Sequence, residues 1–307
     1  MAVVPVSAPA SEPDRVVKPL SYNERRQRMQ VRILVWPATI WLIVFFVVPL
    51  LIVVLFSFLT PSATYQAAAP LTLDNYSRLI EDTYTSVLFR SVMTAVISTI
   101  ICVVVGYPFA FFIATRPKRT RNLFLLLVII PFWTNFLVRT YAIAFILNDS
   151  GLVNTILVNY LHIIADPMHL IYTPFAVFIG LVYGYLPFMV LPIYTAIEKF
   201  NFRLVEAAHD LGANDFRAFM RVMLPVTLPG VLAGCILVFI PALGAYLTPD
   251  LLGGAKFLMI GNQIKTLVDS PTGKPFASAL SLGMMVIVVI ALLVYYRFAD
   301  RGNGAIG

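Results

Sequence analysis

Apolar residues along this chain fall in long unbroken runs rather than in amphipathic stripes. Six runs are free or nearly free of charge: 33–60, 91–115, 122–138 continuing past Arg139 to 147, 170–197, 222–249 and 275–296. A helix rising 1.5 Å per residue crosses a 30 Å hydrocarbon layer in about 20 residues. Each run is therefore long enough to span a bilayer once, and none is long enough to span it twice. Backbone in lipid must satisfy its own hydrogen bonds, which leaves helices or closed barrels, and runs of this length exclude barrel strands. The pattern predicts an all-α polytopic membrane protein with six transmembrane helices.

Polar segments between the runs set the orientation. With the N-terminus in the cytoplasm, the inside segments carry 16 of the 22 Lys and Arg and 8 of the 15 acids, a balance of +8. The outside keeps 6 basic and 7 acidic residues, a balance of −1. The positive-inside rule then puts both termini and the basic loop 199–221 in the cytoplasm. Residues 1–32 read as a disordered cytoplasmic tail rather than a cleavable signal, because the Arg25, Arg26, Arg28 and Arg32 cluster leads into a full-length span. That cluster is placed to rest on anionic lipid headgroups. The remaining boundaries are a first helix over 33–60, a core over 88–297 and a tail over 298–307.

Composition agrees with this reading and narrows it. The chain is 60% hydrophobic and 12% charged, against about 45–50% and 25% in a soluble domain. Its net charge of +7 is a property of loops beside a membrane and implies no nucleic-acid partner. Cys102 and Cys235 both lie in apolar runs, which argues against a disulfide framework or zinc site. His162, His169 and His209 are scattered without ligand spacing, and no nucleophile–base pattern is visible, so the chain reads as no enzyme. It has no phosphate-binding Gly-x-x-x-x-Gly-Lys-Ser/Thr loop; Gly273-Lys274 is followed by Pro. Energy for any active transport must come from another polypeptide.

The segment 198–229 is too long to be a simple inside turn. At helical spacing Leu204, Ala208 and Leu211 share one face, and Glu206 and Asp210 stand on another. Gly212 follows as a helix terminator, and Asn214 or Asp215 is placed to cap a second short helix over 216–223 before Leu224-Pro225 turns the chain into the membrane. The expected shape is a helix–Gly–helix knuckle. Glu206 and Asp210 are like charges at i, i+4, and Asp210 sits near a helix C-terminus that favours cations. A solvated face and a face awaiting a partner's Arg or Lys both accommodate them.

Glu206-Ala-Ala-His-Asp-Leu-Gly212, nine residues, then Val222-Met-Leu224-Pro225 resembles the EAA signature of permease subunits of binding-protein-dependent ABC importers. In that family the loop is a coupling helix that fits a groove on the ATPase, and its Glu pairs with a basic residue there. The resemblance implies this role for Glu206, with Ala207, Ala208 and Gly212 allowing close backbone approach. It extends the coupling set to Asp210, Phe216, Arg217, Leu224 and Pro225. It also implies a type I importer permease fold with a five-helix core after an accessory first helix. The implied partners are a cytoplasmic ATPase dimer that binds ATP and Mg, a second homologous permease and an external substrate-binding protein, with no cofactor in this chain.

Four further stretches, Pro131-Phe-Trp-Thr-Asn-Phe-Leu-Val-Arg-Thr-Tyr141, Tyr172-Thr-Pro-Phe-Ala-Val-Phe-Ile-Gly180, Tyr185-Leu-Pro-Phe-Met-Val-Leu-Pro192 and Thr248-Pro-Asp-Leu-Leu-Gly-Gly254, resemble the spermidine/putrescine importer permeases. Many of that group carry an acidic residue shortly before Thr-Pro-Asp; here the stretch is Gly244-Ala-Tyr246, and a missing carboxylate counts against a polycation. Candidates for the substrate path are Trp133, Arg139, Tyr141, Tyr185, Tyr246 and Asp250. The aromatics offer cation–π faces to an ammonium but also suit an interfacial belt. Arg139 is a path residue, a snorkelling side chain or a partner of Asp149. Asp250 is a contact for a cation or a docked protein, or a solvated loop acid. The competing classes are a permease for another small solute and a stand-alone secondary transporter, which would carry coupling carboxylates that these spans lack.

Overall fold

The computed structural model describes residues 35–62 and 68–303. The expected tail over 1–32, with its arginine cluster, lies outside the described residues, as do 304–307. The chain divides into two units, 1–52 and 53–307. What is described of the first is apolar helix, the opening part of α1 (Val35–Ser57), widened by a π turn at Ile43–Val47. Its Trp41 and Phe45 rings lie 4.2 Å apart, and its aliphatic residues are exposed, as suits a helix whose solvent is lipid.

The second unit begins with the end of α1 and a small hairpin, β1 (Leu59–Thr60) antiparallel to β2 (Ala68–Leu71). Asn75 closes it by donating from Nδ2 to the carbonyls of Ser57 and Leu59, both at 2.9 Å. Among the described residues the longer helices that follow are α2 (Asp82–Ala114), α3 (Lys118–Trp133), α4 (Phe136–Leu147), α5 (Pro174–Glu198), α6 (Arg203–Asp210), α7 (Asp215–Leu243), α8 (Ile260–Asp269) and α9 (Lys274–Asn303). Six described helical segments are long and apolar enough to cross a membrane.

The boundaries differ from the apolar runs in four places. Helix α2 starts at Asp82, nine residues before its apolar run, because its first turns alternate buried Val87 and Ser91 with exposed Phe89. The third run is broken: Thr134 and Asn135 are extended, and α4 restarts with Asn135 Oδ1 accepting from Leu137 N–H at 2.8 Å. No turn occurs at Leu224-Pro225. Helix α7 runs through them, and a π turn at Phe219–Met223 widens the helix just before the proline, whose missing N–H and ring a regular helix would not accept. At the other end, α9 continues to Asn303, into the segment expected to be tail.

Helices α2, α5 and α7 pack most closely. Their shared core includes Cys102 and Tyr107 of α2, Met189, Val190 and Ile193 of α5, and Val231 and Val238 of α7. Gly234 permits this approach: a Cβ there would lie 2.7 Å from Met189 Sδ and 3.2 Å from its carbonyl oxygen. Polar side chains lock the register. Thr227 donates to the Met223 carbonyl at 2.9 Å and meets the Tyr107 hydroxyl at 2.8 Å. Ser91 donates to the Val87 carbonyl and accepts from Ile260 N–H at 2.8 Å, tying α8 to α2.

Candidate coupling and translocation sites

The first helix of the knuckle and its Gly ending are built as the spacing predicts, while the second helix is the start of α7. Helix α6 ends at Gly212, whose φ of +81° suits only a residue without a side chain. Gly212 N–H donates to the His209 carbonyl at 2.8 Å and Ala213 N–H to the Ala208 carbonyl at 3.0 Å, the paired bonds of a Schellman ending. Asn214, rather than Asp215, caps α7, accepting from Arg217 N–H at 2.9 Å. His209 Nε2 lies 3.2 Å from Asp215 Oδ1 and clasps the two helices.

The face shared by Leu204, Ala208 and Leu211 is open at both leucines. Leu204 is exposed and Leu211 is 90% exposed, while Val205 packs against the core. Leu211 is the C-cap, where the chain has already left the helical spiral, so extrapolating the helical period to it fails. Beneath α6 lies a cavity of about 480 Å³, lined by residues that include Tyr107, Phe202, Val205, His209 and Phe219. On the open side stand Glu206, Ala207, Asp210, Gly212, Arg217 and Pro225, with Phe216 67% exposed; Ala208 and Leu224 are half-buried. Among the described residues, neither Glu206 nor Asp210 has an ion-pair partner. The knuckle thus presents two bare carboxylates beside exposed leucine and phenylalanine.

The path candidates fall into separate groups. Arg139 is buried, with only 9% exposed. Its Nη1 donates to the Pro131 carbonyl at 3.2 Å, and its guanidinium lies 5.3 Å and 5.9 Å from the Phe136 and Tyr183 ring centres. It therefore neither snorkels nor pairs with Asp149, which takes His169 at 2.8 Å instead. The geometry is local: at the break at Thr134–Asn135 the Pro131 carbonyl accepts from Thr134, N–H at 3.3 Å and Oγ1 at 2.6 Å, and Arg139 reaches back to the same oxygen. Arg139 and Tyr183 also line a cavity of about 440 Å³.

Tyr185 donates its hydroxyl to the Pro241 carbonyl at 3.2 Å, bridging α5 and α7. Trp133 and Tyr141 project outward, Trp133 being 81% exposed. Tyr246 and Asp250 lie together, joined by Lys265, which the sequence did not single out. Lys265 Nζ is 3.7 Å from Asp250 Oδ2 and 5.8 Å from the Tyr246 ring centre. The only signal for Lys265 was an isolated cation in an outer loop with an acid four residues on.

Comparison with known proteins now adds to this geometry. Residues 106–302 match the family described as binding-protein-dependent transport system inner membrane component. The spermidine/putrescine transport system permease protein PotB of Haemophilus influenzae is 47% identical over 257 residues, covering 84% of this chain and 90% of that one. PotB of Escherichia coli is 45% identical, covering 84% and 93%. Among solved structures, a bacterial ABC transporter that imports the acidic polysaccharide alginate superposes with a TM-score of 0.68 at 17% identity, covering 91% of this chain and 98% of that one. The chain belongs to the family of inner membrane components of binding-protein-dependent transport systems. It is a multi-pass membrane permease with the type I ABC importer fold.

Proposed function

We propose that this chain forms half of the translocation path of an inner-membrane ABC importer for polyamine-like cations of the spermidine and putrescine class. An external binding protein delivers the cation. A second, homologous permease completes the path; the likeness to PotC of Shigella flexneri, 31% identical over 122 residues, supports two related subunits. In this reading both termini and the knuckle lie in the cytoplasm, which the basic-residue asymmetry supports. ATP and Mg are held by the partner ATPase dimer. When that dimer closes, it carries α6 with it, and the His209–Asp215 clasp passes the motion to α7. Because α7 packs on α2 and α5 along their length, a shift at its cytoplasmic end tilts the three-helix core and switches access from one side to the other.

The observation that carries this reading is the exposed knuckle, with Glu206 and Asp210 unpaired beside Leu211 and Phe216. A face with that composition fits a basic and apolar groove. Charge reversal, Glu206→Lys, tests it in membrane vesicles: polyamine uptake falls to background while the complex is recovered at wild-type yield. Normal uptake by that variant overturns the coupling role. A permease of the same class for another small solute is the second reading, favoured by Ala245, which stands buried just before Tyr246 and leaves the Gly244–Tyr246 stretch without a carboxylate. Transport of a neutral or anionic solute with no polyamine uptake selects it.

A further inference from the structure

Lys265 holds a position that its own stability does not explain. It and Asp250 are each half-exposed, and an ion pair of that kind is held weakly. The backbone around it is nonetheless fixed. The Tyr246 carbonyl accepts from Asn262 Nδ2 at 2.7 Å and from Asp250 N–H at 3.1 Å. Asn262 lies one turn before Lys265 on α8, so ring, carboxylate and lysine are in fixed register. Tyr246 and Lys265 border a cavity of about 410 Å³, also lined by Gly244, Ser281 and Asp269, which lies one helical turn past Lys265; the Asp250 carboxylate is tied to it through Lys265.

A carboxylate with a tyrosine face beside it is the chemistry that selects an ammonium. The group found there is a primary alkylammonium on a flexible four-carbon stem, the same group that terminates a polyamine. We propose that Tyr246 and Asp250 form a subsite for a terminal alkylammonium of the cargo, and that Lys265 is its tethered occupant, displaced when cargo arrives. This rests on the polyamine reading of the path and adds to it a specificity device. A neutral solute of the same size cannot replace Lys265 on the carboxylate, whereas a second ammonium exchanges with it at little cost. The displaced lysine then swings towards Asp269, which keeps it neutralised while the cargo is held.

The test is a double-mutant cycle on the whole permease–ATPase complex in nanodiscs, read as equilibrium binding of radiolabelled putrescine without the binding protein. Lys265→Met removes the competitor and tightens binding by about two- to fivefold, the value of an exposed ion pair. Asp250→Asn weakens binding, and adding Lys265→Met to it brings no tightening. Lys265→Arg keeps a cation in place and stays near wild type, which separates competition from a structural role of the side chain. Unchanged affinity in Lys265→Met, or equal tightening with and without Asp250, overturns the tethered-occupant proposal. If wild-type complex supplied with its binding protein takes up no polyamine, the substrate reading itself fails, and that outcome is distinct from a null cycle in a complex that does transport.

Discussion

The two ends of the molecule treat their charges in opposite ways. At the knuckle, Glu206 and Asp210 stand without ion-pair partners among the described residues, and Leu211 and Phe216 are open. Towards the other end, the path residues have partners within the chain: Asp250 is met by Lys265, Asp149 by His169, and Arg139 donates to the Pro131 carbonyl. A surface completed by another protein can leave its groups bare in the isolated subunit. A surface that must hold and release small cargo cannot, because an open carboxylate beside a membrane would retain any cation that reached it. The contrast separates a docking face from a transit face.

Substitutions at four positions bear on that contrast. The largest effect falls on the docking face: Glu206→Lys puts a cation against the partner's basic groove and lowers ATP-driven transport by about 100-fold or more, as breaking an interfacial charge pair commonly costs several kcal/mol. ATPase activity that still rises on addition of liganded binding protein would erase the distinction. Next is the core that links the two ends. Gly234→Val drives a side chain into Met189 of α5 and costs about 1–3 kcal/mol, read as a lower unfolding temperature of the purified complex together with lost uptake. Glu206→Lys, in contrast, leaves that temperature unchanged.

On the transit side, Arg139→Met removes one of three donors to the Pro131 carbonyl, which Thr134 still serves, so the expected loss is that of a hydrogen bond from a charged group, about 1.5–3 kcal/mol. Arg139→Lys restores part of it, since an ammonium reaches the same carbonyl without the guanidinium's stacking on Phe136. Thermal denaturation of both variants measures the difference, and equal stability of wild type and Arg139→Met removes the structural account of this residue. The smallest effect is at Gly212→Ala. A Cβ in the left-handed region costs about 1 kcal/mol, and because nothing lies within 4 Å of it, the strain is conformational alone. Modest loss of transport with little change in global unfolding is the expected outcome.

Much of this was legible from the chain itself. The apolar runs marked the spans because lipid demands long charge-free stretches, and Gly212 marked the end of α6 because few other residues adopt its φ. The break between α3 and α4 was hidden, since Thr134 and Asn135 are short, uncharged and surrounded by apolar residues. Pro225 suggested a turn that the π turn before it makes unnecessary. Leu211 fitted the helical period yet sits at the C-cap beyond the last regular turn, and Val205 is the residue of α6 that packs against the core. The pairing of Asp250 with Lys265 depends on α8 returning beside the segment that follows α7, where Asn262 bonds the Tyr246 carbonyl, and fourteen residues of loop and helix separate the two in the chain. Periodicity reports local geometry, and contacts set by a return of the chain lie outside its reach.

The central claim is that the open face around Leu211 is where the ATPase grips. A photo-crosslinking residue in place of Leu211, in intact membranes containing the assembled transporter, tests it most directly. The account predicts a crosslink from position 211 to the ATPase subunit, and none to it from the same residue in place of Tyr141. A protein that transports normally yet gives no ATPase crosslink from position 211 contradicts the account.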